Sequence, residues 1–200
     1  MTALKAALRQ ICLDLAETHS RFALVGGLAV SARTEPRFTR DADIAVAVQN
    51  DAEAEDLVRS LHARGYSVGA VVEQAPAGRL ATVRLTRALE PTAPVIDLLF
   101  ASSGIESEIV AGAEAIELLP KLRMHVATTG HLIALKVLAR DDLTRPQDVG
   151  DLRALLRVAS PAEVTRARAA LTLIAERGYH RGRDLQSELE KLLRGEREQG

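Results

Sequence analysis

Two apolar runs suited to β-strands, Phe22 to Val25 and Ile44 to Val48, are separated by a glycine pair, a short helix-compatible segment and two carboxylates. Gly26 and Gly27 break the first strand. Leu28 to Arg33 suits a short helix that must end before Pro36, because a residue preceding proline avoids the helical region. A loop, Glu35 to Arg40, then delivers the chain to Asp41, Ala42 and Asp43. In the strand that follows, Ile44, Val46 and Val48 alternate with Asp43, Ala45 and Ala47, a period of two whose polar start is unusual for a core strand.

The rest of the chain alternates in the same way before turning helical. Leu4, Leu8, Ile11, Cys12 and Leu15 mark one face of an opening helix over 3–18. A helix over 51–64 stops at Gly65, and strands follow at 66–73 and 80–86. Val95 to Phe100 is an apolar strand interrupted by Asp97, and a buried charge there costs several kcal/mol unless it is neutralised. Short extended pieces at 116–119 and 122–126 precede helices at 129–139, 147–159, 161–177 and 183–196, with 195–200 expected to fray. Ser160, Pro161 and Glu163 form a helix start in which Ser caps and Glu completes a capping box. These patterns predict an α/β fold: a small mixed sheet flanked by helices, with a C-terminal helical bundle, divided into 1–126 and 127–200.

Charge and composition exclude little. The 26 basic and 27 acidic side chains nearly cancel, which gives no reason to expect nucleic acid or membrane binding from net charge. Residues 1–120 carry 11 basic and 16 acidic groups, against 15 and 11 in 121–200. That split suits an acidic catalytic half beside a basic half for an anionic partner, and solvated helix faces produce it equally. No segment has the length of a membrane span and the N-terminus lacks a signal-peptide pattern, so a cytoplasmic protein is expected. Cys12, the only cysteine, sits at helical spacing among apolar residues and reads as a small core residue.

The segment from Val25 to Ile44 can carry chemistry. Glycines at a strand-to-helix turn let backbone N–H groups approach a triphosphate, and a helix N-terminus adds partial positive charge. Asp41 and Asp43, two apart on a strand, point to one face and offer hard oxygen ligands to Mg2+. Asp97 can supply a third carboxylate and complete a site in which two metal ions stabilise the attacking and leaving oxygens. The same residues fit a plainer reading, with loop-end charges at 41 and 43 and Asp97 paired to an arginine such as Arg84. Arg37 and Arg40 flank the loop, where each can hold a phosphate in bidentate fashion or form a surface salt bridge.

The glycine pair, the thirteen residues between Gly27 and Asp41, the Asp41-Ala42-Asp43 pair and the later apolar-Asp97-apolar strand resemble the nucleotidyltransferase signature of the polymerase-beta-like superfamily. Within it, the phrase Pro36 to Asp43 and the segment Leu132 to Ala139 followed by Asp148 to Leu152 are similar to AbiEii-type toxins of abortive-infection and toxin-antitoxin systems; the likeness spans residues 20–157. The resemblance implies that Gly26 and Gly27 line a triphosphate; Arg37, Thr39 and Arg40, in the loop ahead of Asp41, are candidates to contact the same nucleotide. It implies that Asp41, Asp43 and Asp97 bind two Mg2+ ions, that Lys136 is a phosphate or active-site lysine, and that Asp148 or Asp151 is a further catalytic carboxylate. Without it, Lys136 reads equally as a snorkelling residue. Phosphorylation near Thr39 is a further implication, since a phosphate there would repel the triphosphate.

The expected activity is transfer of a nucleoside monophosphate from a nucleoside triphosphate, ATP included, to an acceptor such as a transfer RNA 3′ end. A cognate antitoxin is the expected protein partner. A small-molecule acceptor, and an NTP-binding or interaction module without turnover, are the rival readings. His125, His131 and His180 lack zinc-ligand spacing. Ser102, Ser103 and Gly104 read as a turn placed beside the site, within reach of a ribose or base.

Overall fold

The computed structural model describes residues 3–37, 39, 41–74, 78–87, 94–140 and 146–199. The chain runs α1 (Ala3–Glu17), β1 (Arg21–Val25), α2 (Gly26–Arg33), β2 (Ala42–Ala47), α3 (Asp51–Ala63), β3 (Tyr66–Gln74) and β4 (Arg79–Arg87). It continues with β5 (Ile96–Leu99), α4 (Glu106–Gly112), β6 (Glu114–Leu119), β7 (Leu122–Val126), α5 (Thr129–Ala139), α6 (Pro146–Val158), α7 (Pro161–Glu176) and α8 (Leu185–Gln199). The strands form one seven-stranded sheet in the order β3-β4-β5-β2-β1-β7-β6. It is mixed, as expected: β2 pairs with β5 and β1 with β7 in parallel, and the other pairs are antiparallel.

Alternation along the central strands sorts side chains between the two faces. Leu24, Ile44 and Leu98 share one face, all fully buried. The opposite face carries Val25, Asp43, Asp97 and Arg84, each a register partner of the next across β1, β2, β5 and β4. Every strand precedes residue 127 and the remainder is helical, yet one hydrophobic cluster runs across that point, from Leu24 and Ile44 to Leu132, Leu152 and Leu171. At its centre α5 buries Leu132, Ile133, Ala134, Val137 and Leu138. A helix apolar on nearly all sides must be enclosed, and α6, α7, α8 and α2 pack around it.

Four local expectations change. The short helix α2 begins at Gly26, not Leu28, so the glycine pair forms its first turn as well as ending the strand. Helix α4 was not expected: it has only seven residues, too few to show a period, and its start is organised by a side chain. Glu106 Oε1 accepts from the N–H and hydroxyl of both Ser102 and Ser103. Helix α8 continues to Gln199 through residues expected to fray. Ser160 caps α7 as anticipated, accepting from the Glu163 N–H, but Glu163 does not reach back to it. Its Oε2 instead accepts from the Gly130 N–H at 2.5 Å, tying α7 to the start of α5.

Candidate active site

The site begins with two glycines whose lack of a side chain has a visible cause. Gly26 has φ +62°, and a Cβ there would fall 1.8 Å from Asp43 Oδ2. A Cβ on Gly27 would meet Arg37 Nη2 at 2.7 Å and Thr39 Oγ1 at 3.2 Å. No other residue type satisfies both demands at Gly26, since left-handed backbone and van der Waals exclusion act together. The N-terminus of α2 is thereby pressed against the Asp43 carboxylate, and the Gly27 N–H donates to it.

Asp43 lies between like charges. Burial pushes its pKa up from 3.8 to about 6, with the charge of Asp97 and then of Asp41 acting in the same direction; Lys136 and the Gly27 N–H oppose the rise. A carboxylate held in this way is short of positive charge. Asp41, just ahead of β2 and half-buried, joins the same face by the two-residue period, and its carbonyl accepts from Thr39 Oγ1 at 3.4 Å. Among the described residues neither Asp41 nor Asp43 has an ion-pair partner.

Asp97 is different. It is the register neighbour of Asp43, but Arg84 clasps it, Nε to Oδ1 at 2.9 Å and Nη2 to Oδ2 at 2.8 Å. Both sequence readings of Asp97 therefore hold in part: it stands beside Asp43 and it pairs with Arg84. Sequence reasoning named Arg84 only as an alternative partner. Its signal was β4 itself, where Ala81, Val83 and Leu85 are buried and Arg84 must face the other way.

The helical side completes the cleft, because α2 packs on both the sheet and α5 and α6. Lys136, near the end of α5, binds Asp148 Oδ1 at 2.5 Å and Asp151 Oδ2 at 2.7 Å, in the first and second turns of α6. Arg37 grips the same Asp151 through Nε at 2.7 Å and Nη2 at 2.7 Å. Lys136 is thus half-buried and paired with two carboxylates rather than snorkelling into solvent. Arg40 lies outside the described residues.

Other expectations are placed elsewhere. The Ser102 to Gly104 turn follows the C-terminal end of β5, whereas Asp97 stands near that strand's start, and both of its serines are bound to Glu106 at the start of α4. Its Gly104 packs on the Tyr179 ring. His131 is buried beside Gly112, and Cys12 has its thiol pushed up to about 12 by burial, which leaves it inert. A groove of about 490 Å3 between α6, α7 and α8 and one of about 450 Å3 between α3, β3 and β4 include none of the glycines, carboxylates or cations of the cleft.

The donor set suits a hard divalent cation at Asp41 and Asp43, two carboxylates on one face with no ion-pair partner among the described residues. Among the described residues no three His, Cys, Asp or Glu side chains gather closely enough to hold an ion, and the Asp97 carboxylate is turned to Arg84. Cations on the helical side and the N-terminus of α2 suit an anionic ligand in the cleft between them.

The fold recurs in solved structures. An antigenic nucleotidyltransferase-like protein from Paracoccidioides brasiliensis superposes with a TM-score of 0.54 at 17% identity, over 94% of this chain and 92% of that one. A putative nucleotidyltransferase from Helicobacter pylori gives 0.49 at 16%, over 96% and 91%. ANT(2")-Ia in complex with adenylyl-2"-tobramycin gives 0.49 at 15%, over 99% of each chain. No curated protein matches the sequence. The family described as nucleotidyl transferase AbiEii toxin, type IV TA system, matches residues 6–199, and the chain belongs to that family.

Proposed function

We propose that this nucleotidyltransferase moves a nucleoside monophosphate from an NTP to the 3′ end of an RNA, transfer RNA being the favoured acceptor, with Mg2+ held by Asp41 and Asp43. The observation that carries this is the pair of carboxylates without a cationic partner, set against the glycine turn that opens α2. The N-terminus of α2 faces the phosphate oxygens, and the missing side chains at Gly26 and Gly27 let Asp43, Arg37 and Thr39 close around it. Lys136 and Arg37 stand across the cleft as cations for the phosphate chain, held in place by Asp148 and Asp151. Thr39, against Gly27, lines the same approach. A Mg2+ ion bound at Asp41 and Asp43 supplies charge neutralisation for the phosphoryl group under attack and for the departing pyrophosphate. An RNA acceptor suits the basic balance of residues 121–200, where 15 basic groups face 11 acidic ones. Such a reaction belongs in the cytoplasm, where its substrates are found, and membership of a toxin family makes a cognate antitoxin the expected partner.

The test is transfer of label from α-labelled NTPs to total RNA and to small hydroxylated acceptors, for the wild type and for Asp41→Ala and Asp43→Asn. Magnesium-dependent label on RNA, reduced at least about 1,000-fold in both variants, is the expected result. Label passing only to small acceptors replaces the RNA in this reading. NTP binding with no transfer to any acceptor rejects it.

A further inference from the structure

Arg84 belongs to no part of the motif that led to the site. On β4 it faces away from the buried Ala81, Val83 and Leu85 and toward the side of the sheet that holds Asp97 and Asp43. The Asp97 side chain is 12% exposed and that of Arg84 49%, so the carboxylate is the buried member of the pair and the guanidinium the one reaching the cleft. Asp97 raises the Arg84 pKa, first by hydrogen bonding and then by charge, and the charges of Asp41 and Asp43 add to the effect. The cation therefore sits in the field of the whole acidic face.

Both Asp97 oxygens are taken by N–H groups in the planar, two-pronged geometry that guanidinium matches and a lysine cannot. Each oxygen keeps a lone pair, but an ion on it would stand next to a full positive charge in a partly dry site, where repulsion between cations is strong. The other site carboxylates fall into two sets. Asp148 and Asp151 are bound by Lys136 and Arg37, while Asp41 and Asp43 have no ion-pair partner among the described residues. By that division Asp97 belongs with the carboxylates already neutralised by protein.

We infer that Arg84 occupies, as a fixed internal cation, the place beside Asp97 that a second divalent ion would take, so that the site binds one ion on Asp41 and Asp43 and not two. This rests on the metal-dependent reading above and narrows it. Asp97 is then a positioning residue for Arg84 rather than a metal ligand, and the charge that a second ion would supply is built into the sheet.

Counting Mn2+ ions bound to the full chain by electron paramagnetic resonance tests this without reference to turnover. The wild type should bind a single ion, lost in Asp43→Asn, while Asp97→Asn, which leaves the Arg84 charge unmatched, should weaken binding without abolishing it. Arg84→Met should admit a second ion, whereas Arg84→Lys, which keeps the charge, should not. Two ions on the wild type, or an Asp97→Asn variant as impaired as Asp43→Asn, overturns the inference and leaves the metal-dependent reading standing. A wild type that binds no Mn2+ through Asp43 rejects both. Should Arg84→Met fail to fold, Asp97→Asn and Arg84→Lys decide the matter by the same criteria.

Discussion

The two walls of the cleft treat their charges in opposite ways. On the helical wall every named carboxylate is matched: Asp148 with Lys136, and Asp151 with both Lys136 and Arg37. On the sheet wall Asp41 and Asp43 are left without an ion-pair partner among the described residues, and only Asp97 is matched. Burial makes the difference costly, because a buried carboxylate without a counter-charge is pushed toward its protonated form. A chain that can match three of five carboxylates can match the others. The unmatched pair is therefore read as the place kept for a cation from outside, and the matched ones as the frame that holds lysine and arginine in position.

The largest expected effect on stability comes from breaking the matched wall. Side-chain exposure is 13% for Lys136, 6% for Asp148 and 3% for Asp151, so solvent screens these charges little. Lys136→Met leaves two buried carboxylates, one with Arg37 and one with none among the described residues, and should cost about 3–5 kcal/mol in urea unfolding. Adding Asp148→Asn should restore part of that loss. A cost below about 1 kcal/mol for Lys136→Met would mean that solvent reaches this wall, and the contrast with the sheet would fail.

The unmatched wall should respond with the opposite sign. The Asp43 pKa rises on folding from 3.8 to about 6, so between these values the folded chain holds the proton more tightly than the unfolded one. The stability that this confers is complete below pH 3.8 and disappears as pH rises through about 6. At neutral pH without divalent ions, Asp43→Asn should therefore stabilise the protein, by at most about 3 kcal/mol from the size of the shift. Added Mg2+ should raise the melting temperature of the wild type and leave that of the variant unchanged. A destabilised Asp43→Asn under chelation would show that the carboxylate is already satisfied.

Much of the sheet wall was legible because strand alternation is local. The period of two put Asp41 and Asp43 on one face, and the apolar run around Asp97 announced a buried charge in need of a partner. Which partner it takes was not legible, since it depends on β4, β5 and β2 lying side by side in register, a matter of tertiary topology. The same gap hid the partner of the Ser102 to Gly104 turn: the sequence shows that it follows the Asp97 strand but not that Glu106 takes up both serines. The match of Lys136 to Asp148 and Asp151 joins two helices across undescribed residues 141–145, and no periodicity reports such a contact. Local capping was half legible in the same sense, with Ser160 capping α7 as its type dictates and Glu163 diverted to the distant Gly130 N–H. The family match, over 6–199, is also longer than the motif-bearing stretch of 20–157, because packing helices such as α1 and α8 carry no chemistry by which to be recognised.

The smallest effect separates burial from the like-charge crowding of the sheet wall. His131 is buried at the start of α5, facing Arg166 and Glu163 of α7 and Glu108 of α4, and its Nδ1 has no hydrogen-bond partner. Burial first, then the charge of Arg166, lowers its pKa below the ordinary 6.5, with Glu163 and Glu108 opposing. The unfolded chain then binds the proton more readily, so the contribution is present above pH 6.5 and is lost as pH falls through the lower folded value. Its slope is opposite to that of Asp43, and it acts over the interval just below pH 6.5. In metal-free Asp43→Asn the remaining stability should therefore rise with pH across this interval, and His131→Phe in that background should flatten the rise. A profile that still falls with rising pH after both substitutions would assign the crowding to carboxylates other than Asp43, and the division between matched and unmatched walls would have to be redrawn around them.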